Sequence, residues 1–487
     1  MTGATISIGS LRLSAFLSPQ NLPISSSDLI QIIAFVFGVL WLLVTLYSFL
    51  PIVQFALTKL VNEHTNISNE LGNLVVNRAD DLSEYSPVID VLVPAYDDAK
   101  VVEQAIRSLR KTNYPDSELN VHVLIEPDDE ATATKLADLE ATYEFTVHTV
   151  PSSYPNQPNK PRALDYGFNV TSGDIVGVID AEDIVDPDLF GHVVSGLYAE
   201  EKDFVQGKLD MVNEYDGWKN LLFRAEYGYW YEILLKGFYT AGYPVPLGGT
   251  TNFFHRSTLE SVSAIRDRDY GSPWPEESED WFEDNPVDRA APWDPRNVTE
   301  DFELGLLLWL HDFEIGYLDV ATSEESPIDY NNWITQRTRW EKGKIYTMFQ
   351  WFRYPPQGIK NKAHLIFQSF LPHYAVINVT GIVLLLLYSN LYQIRLLDRN
   401  QLLLLLTASI VVVLALIHGY AYTLVSDYPS RWRRAARSVV AAVTLPFYWA
   451  LYWAATLRAI YQIYTGDLVW EKTEHHGRND DTSEGSD

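Results

Sequence analysis

Between residues 87 and 180 the chain switches repeatedly between two rhythms. PVIDVLVPAY (87–96) is an unbroken apolar, β-branched run, the pattern of a strand buried on both faces. Residues 99–112 then place Val102, Ala105, Ile106 and Leu109 at helical spacing, until Asn113-Tyr114-Pro115 stops them. NVHVLIEP, TVHTVP and DIVGVID (174–180) repeat the strand rhythm, with the helical stretches ATATKLADLEATY and PRALDYGFNV between them. Strand, helix, strand in succession predicts an α/β, doubly wound sheet with right-handed crossovers, and such sheets bind ligands at the carboxyl ends of their strands.

A different pattern flanks this segment. Residues 29–50 carry no charge and match the roughly 20 residues needed for one bilayer crossing. Further apolar runs occupy 374–392, 402–425 and 438–464, which predicts about four transmembrane helices. The expected division is a first segment and span (1–60), a soluble α/β domain (61–332), interfacial helices (333–372), transmembrane helices (373–466) and a polar tail (467–487). The connection carrying Arg431, Arg433, Arg434 and Arg437 is the most basic short one, which places it and the large domain on the cytoplasmic side of a multi-pass cell-membrane protein. Pro446 and Arg458 could split the last run into a span and an interfacial helix, so the side of the tail stays open.

Composition sharpens the class. The 487 residues carry 36 Lys and Arg against 64 Asp and Glu, a net charge of −28, which argues against nucleic acid as a partner. A surface this acidic suits a halophilic, high-salt cytoplasm, where its self-repulsion is screened. With no cysteine, any metal must be held by oxygen or imidazole.

Carboxylates gather at strand ends: Asp97 and Asp98 after the first strand, Glu126, Asp128 and Asp129 after the second, Asp180, Glu182 and Asp183 after the fourth. Glycine fingerprints for phosphate (G-x-G-x-x-G, G-x-x-x-x-G-K) are absent. A hard divalent cation neutralising a diphosphate is one reason for such clustering, and helix N-capping is the competing one. Three carboxylates within Asp180-Ala-Glu-Asp183 repel one another unless a cation or donor is near, which favours the cation there.

VPAYDD, KPRALDYG, GDIVGVIDAED, NVTEDFELG and QRTRW occur in this order at spacings that resemble the inverting family 2 glycosyltransferases with a GT-A fold. More closely, the chain resembles the membrane-embedded branch that includes cellulose, hyaluronan and related β-glycan synthases. The resemblance implies that Asp97, Glu126 and Asp128 hold nucleobase and ribose, and that Lys160 and Arg162 lie near uridine and diphosphate. It further implies that Asp180 binds both donor and metal, with Glu182 or Asp183 as the second ligand to Mg²⁺ or Mn²⁺. It makes Asp301 the catalytic base, beside Glu300, and gives donor-binding roles to Gln336, Arg337, Arg339 and Trp340. Gly248, Gly249, Thr250 and Thr299 fall in its acceptor region, and Gln206 at a family position of uncertain role.

The implied reaction is transfer of a sugar from a nucleotide-diphosphate donor, UDP-linked, to a glycan or lipid-linked acceptor with inversion. It needs a base for the acceptor hydroxyl and a cation for the departing phosphate. QRTRW favours processive β-polysaccharide synthesis, while the small number of spans favours adding one sugar to a polyprenyl-phosphate or glycolipid acceptor. A non-catalytic sugar-nucleotide-binding membrane protein and a transporter are the rivals from other classes. Residues 265–292 read as a solvated insert or a lid, and Trp470–His475 matches a tail motif of one subgroup.

Overall fold

The computed structural model describes residues 86–370, 401–426 and 428–466, with part of a helical segment between 43 and 59. The strands are β1 (Ile89–Ala95), β2 (Leu119–Ile125), β3 (Thr146–Thr149), β4 (Ile175–Val178), β5 (Phe204–Met211), β6 (Asn252–His255) and β7 (Ile315–Glu324). Interleaved with them are α1 (Val102–Leu109), α2 (Glu130–Leu139), α3 (Lys160–Val170), α4 (Leu189–Val194), α5 (Trp218–Tyr229), α6 (Lys236–Ala241), α7 (Arg256–Tyr270), α8 (Glu279–Asp284) and α9 (Glu300–Leu310). Beyond the sheet come α10 (Tyr330–Arg353), α11 (Ile359–Phe370), α12 (Gln401–Val425) and α13 (Arg431–Thr465).

The strands form one sheet in the order β3-β2-β1-β4-β6-β5-β7. The first four are parallel, with Val91 opposite Val121 and Leu92 opposite Val178. β6 runs antiparallel to both β4 and β5, so the sheet is mixed where the sequence rhythm predicted a parallel one. Period-two alternation sends Val91 and Val93 into the layer under α1, α2 and α4, and Leu92 into the layer under α3, α7 and α9. Strand order reverses between β1 and β4, which opens a crevice at their carboxyl ends.

A third apolar layer joins α5 and α10 to α12 and α13. α10, expected to lie along a membrane interface, is wedged between α9 and α13, with Gln336, Arg337, Thr338 and Glu341 buried. α13 is 35 residues long, about 52 Å at the usual rise, and it runs through Pro446 without a break. The basic residues expected in a connection form its first turns. Arg437 donates to the Tyr422 hydroxyl at 2.9 Å and to the Glu214 carbonyl at 2.7 Å, which ties this helix end to the α/β domain.

Among the described residues α13 alone is long and apolar enough to cross a membrane, and Val412–Val425 of α12 forms a shorter apolar stretch. One helix rather than four therefore passes that test. The predicted span at 374–392, most of that at 29–50, and the Trp470–His475 motif lie outside the described residues.

Candidate functional site

One cavity of about 550 Å³ opens at the crevice between β1 and β4. Its first wall comes from strand ends and helix starts: Tyr96 and Asp98 after β1, Glu126 after β2, Asp180 and Glu182 after β4, and Glu324 at the end of β7. Thr299, Glu300 and Asp301 close it from the start of α9, and Gln336, Arg337, Arg339 and Trp340 from α10. Its far wall is apolar and aromatic, built from Leu414 and His418 of α12 and Leu445, Tyr448, Trp449 and Tyr452 of α13.

The backbone at Gly249 serves as a ruler for the polar end. A methyl group placed there would stand 3.6 Å from Lys160 Nζ and 3.8 Å from both Asp180 Oδ2 and Asp301 Oδ2. An ammonium and two carboxylates, from α3, the β4 end and α9, thus meet at one point of the 248–250 loop. The Lys160 ammonium donates to Asp180 Oδ1 and, at 2.7 Å, to the Gly249 carbonyl. Burial pushes its pKa down, but Asp180, Glu300 and Asp301 outweigh that and lift it above an ordinary lysine, so it stays charged.

The α9 pair is shifted the other way. Glu300 is pushed up to about 7, by burial first and by the Asp301 charge second, against the pull of Lys160. Burial also raises Asp301, opposed by Lys160 and by backbone N–H groups of the first turn. Thr299 holds the N-cap position without capping: its hydroxyl turns 3.4 Å to Asn297 Oδ1. Arg339 faces Glu300, Asp180, Glu182 and Asp301, and burial lowers its pKa against their pull.

Several expected contacts fall elsewhere. Arg162 is fully buried and does not line the cavity. Nε donates to the Pro155 carbonyl, one terminal nitrogen to both Glu126 oxygens at 2.7 and 2.9 Å, and the other to the carbonyls of Pro151 and Tyr154. It therefore positions Glu126 and the 151–155 loop. Asp97 is exposed with φ 55°, and its N–H donates to Asp129 Oδ2 at 2.5 Å. Asp128 is exposed, within 3.4 Å of the Tyr96 hydroxyl, while Asp129 caps α2. Asp183 is buried outside the cavity lining. It accepts from the Thr250 hydroxyl at 2.5 Å and from the Asp180 N–H at 3.2 Å, so it braces the loop carrying Asp180. Of the two acidic candidates after Asp180, Glu182 is the one in the cavity wall.

Arg337 lines the cavity with both terminal nitrogens of its guanidinium committed. It donates to the two Glu226 oxygens at 2.9 and 2.8 Å and to the hydroxyls of Tyr448 and Tyr452, between the rings of Phe223 and Trp340. Sequence reading missed Glu226, Glu324 and His418. Glu324 is pushed well above the ordinary carboxylate range by burial and by Asp183, Glu182 and Asp180. The acidic ending of β7 was the only available signal for it, and nothing marked His418 within its apolar run.

The polar end offers only oxygen donors, suited to a hard cation. Among the described residues no group of three or more His, Asp or Glu forms a metal cage. A Mg²⁺ or Mn²⁺ held by Asp180 and Glu182 would have to complete its shell with phosphate oxygens and water.

Residues 87–343 match the family model described as "Glycosyltransferase like family 2". The probable glycosyltransferase YdaM of Bacillus subtilis is 25% identical over 326 residues, 63% of this chain and 68% of its own. The beta-monoglucosyldiacylglycerol synthase of Synechocystis is 23% identical over 304 residues, 60% of this chain and 56% of its own. This chain thus spans little more than half the length of that synthase. The mannosyltransferase PcManGT of Pyrobaculum calidifontis, solved with GDP-Man and Mn²⁺, superimposes with a TM-score of 0.49 at 13% identity, over 88% of this chain and 99% of that one.

Proposed function

The chain belongs to glycosyltransferase family 2, and on that premise we propose that it moves one sugar from a nucleoside-diphosphate donor to a lipid-borne acceptor at a membrane boundary. The observation that carries this is the continuity of the cavity. Its carboxylate-rich end lies at the switch point of the sheet, and its aromatic end is walled by α12 and α13. The outer faces of those helices expose Leu416, Val439, Val443 and Phe447, as contact with lipid requires. An acceptor whose tail lies among apolar helices can then present its head at Asp301.

In this reading the nucleobase and ribose lie along Tyr96, Asp98 and Glu126, with Arg162 holding Glu126 in place. Lys160 and Arg339 face the diphosphate. A divalent ion at Asp180 and Glu182 would offset charge on the departing phosphate. Asp301 takes the proton of the attacking group, and Glu300 sets how readily it does so. Attack from the face opposite the diphosphate gives inversion. Gly249 leaves room at the point where Lys160, Asp180 and Asp301 converge.

A growing glycan is the second reading, favoured by Trp340, a platform for a sugar ring at the cavity wall. The test is radiolabelled turnover of purified protein with UDP- and GDP-sugars, with and without Mn²⁺, at high and low KCl. The expected product is a lipid carrying one sugar, lost on chelation. A long polymer with no labelled lipid would overturn the proposal in favour of the glycan.

A further inference from the structure

The Gly248-Gly249 loop faces two chemistries one residue apart, about 3.8 Å along the backbone. The Gly249 point meets the Lys160 ammonium and the carboxylates of Asp180 and Asp301. A methyl group placed on Gly248 would instead stand 2.6 Å from the Tyr231 hydroxyl and 3.6 Å from Gln206 Nε2, both neutral. Gly248 and Tyr231 line the cavity, so this second point opens onto it.

Gln206 is fully buried on β5, opposite Asn252 of β6 and beside a bulge between Gln206 and Lys208. Neither atom of its amide has a hydrogen-bond partner among the described residues, nor has Asn252 Oδ1. Asn252 Nδ2 donates to the Gly248 carbonyl, which holds the loop against these unpaired atoms. Buried amides in this state call for a partner that the chain does not supply. Tyr231 sits in the π-helical turns of residues 230–235, between α5 and α6, a geometry frequent at functional sites. Its carbonyl accepts from the Tyr317 hydroxyl at 2.9 Å. Burial first, then Glu324 and Asp301, raise its pKa against the pull of the Gln206 amide, so the hydroxyl keeps its proton and can donate.

Tyr231 packs in the apolar layer with Leu414 of α12 and Leu445 of α13, the side from which a lipid-borne acceptor would enter. Resting on that reading, we infer that Tyr231 and Gln206 bind a second hydroxyl of the acceptor, whose head is therefore a sugar already joined to a lipid. The chain extends that head rather than starting one, and an earlier glycosyl transfer onto the lipid must supply it. In a sugar, one hydroxyl attacks and gives its proton to Asp301 while another on the same ring reaches Tyr231. A lipid with a single hydroxyl spends it in the attack and leaves the Gln206 amide unpaired. A site built around a hydroxyl rejects a molecule that lacks it.

The test gives the full chain, with Mn²⁺ and labelled UDP- and GDP-sugars, three lipids in otherwise identical vesicles: dioleoylglycerol, its monoglucosyl form, and undecaprenyl-diphosphate N-acetylglucosamine. Faster labelling of either sugar-bearing lipid than of dioleoylglycerol supports the inference, and the labelled arm tells which linkage carries the head. Equal or faster labelling of dioleoylglycerol overturns it while leaving lipid transfer standing. Label on none of the three overturns both readings. Tyr231→Phe, which removes one oxygen, should raise the KM for the labelled lipid about tenfold, the worth of one hydrogen bond, without moving that for the nucleotide sugar. Gln206→Leu should act in the same direction. A monodeoxy series of the lipid's sugar separates recognition from structure. The member lacking the bound hydroxyl should cost wild type about tenfold and Tyr231→Phe nothing further. A shift in the nucleotide-sugar KM alone would move the subsite to the donor, and no shift in either would remove Tyr231 and Gln206 from recognition; both results overturn the inference.

Discussion

At the scale of single residues, the proposed chemistry rests on two adjacent carboxyls at the start of α9. Replacing Asp301 with Asn should keep nucleotide binding, measured calorimetrically, and slow transfer by about a thousandfold, as expected for loss of a general base. The pair is coupled, so its acid limb belongs to both groups. With Glu300 near 7, transfer should fall as pH drops below about 7, and Glu300→Gln should move that limb to lower pH. Stability runs in the opposite sense. Glu300 has a pKa of about 7 when folded against an ordinary 4.5, so between those values the folded state binds a proton the unfolded chain lacks. The wild type therefore loses stability as pH rises through that window. Glu300→Gln should unfold at a higher temperature than wild type above pH 7, with the gain vanishing below about pH 4.5. The carboxylate cluster at Asp180 stood out in the sequence because three acids in four residues at a strand end carry a local signature, whereas Glu300 and Asp301 were singled out only by the order of motifs. The role of Arg162 was not legible, since a phosphate clamp and a buried brace for Glu126 are the same residue type beside the same helix cap.

At the scale of elements, the approach of α10 to α9 depends on Gly343. A methyl group there would lie 2.1 Å from Thr299 Oγ1 and 2.7 Å from its Cβ, so any side chain drives the QRTRW helix away from α9. Gly343→Ala should lower kcat at least tenfold with the fold intact by circular dichroism, and adding Thr299→Gly should restore part of it. Equal rates for wild type and Gly343→Ala would show that the spacing is unimportant. The first four strands and their helices lay where periodicity put them: β1 and β4, buried on both faces, must be almost continuously apolar, while β2 alternates at its start and β3 is partly exposed. β6 was missed: its antiparallel run is four residues long, and its neighbours β4 and β5 come from distant parts of the chain. The 265–292 segment, which read as a solvated insert or a lid, is half exposed but anchored at several points. Trp274, Trp281 and Phe282 surround Tyr154, and Arg266 donates to both Glu303 oxygens at 3.0 and 2.7 Å behind α9.

At the scale of the whole molecule, the part-buried ion pair of Arg337 and Glu226 is one place where the α/β domain meets the apolar helices. Glu226 of α5 accepts from Arg337 of α10 and from the Tyr448 and Tyr452 hydroxyls of α13, at 2.8 and 2.5 Å. Glu226→Gln leaves the Arg337 charge buried and should cost about 3 kcal/mol, read as an earlier thermal transition in detergent. The double change Glu226→Leu with Arg337→Met should cost less than either single loss of charge. Additive costs would show that the four groups do not act as one joint. The sequence by itself determined the α/β rhythm, the acidic strand ends, the apolar runs and the order of motifs, since each depends on neighbours a few positions apart. Only the tertiary structure decided which carboxylates face the cavity, that Arg337 is spent on Glu226, and that α12 and α13 complete the wall. Those outcomes depend on burial and on partners more than a hundred residues away, and a linear pattern does not encode either.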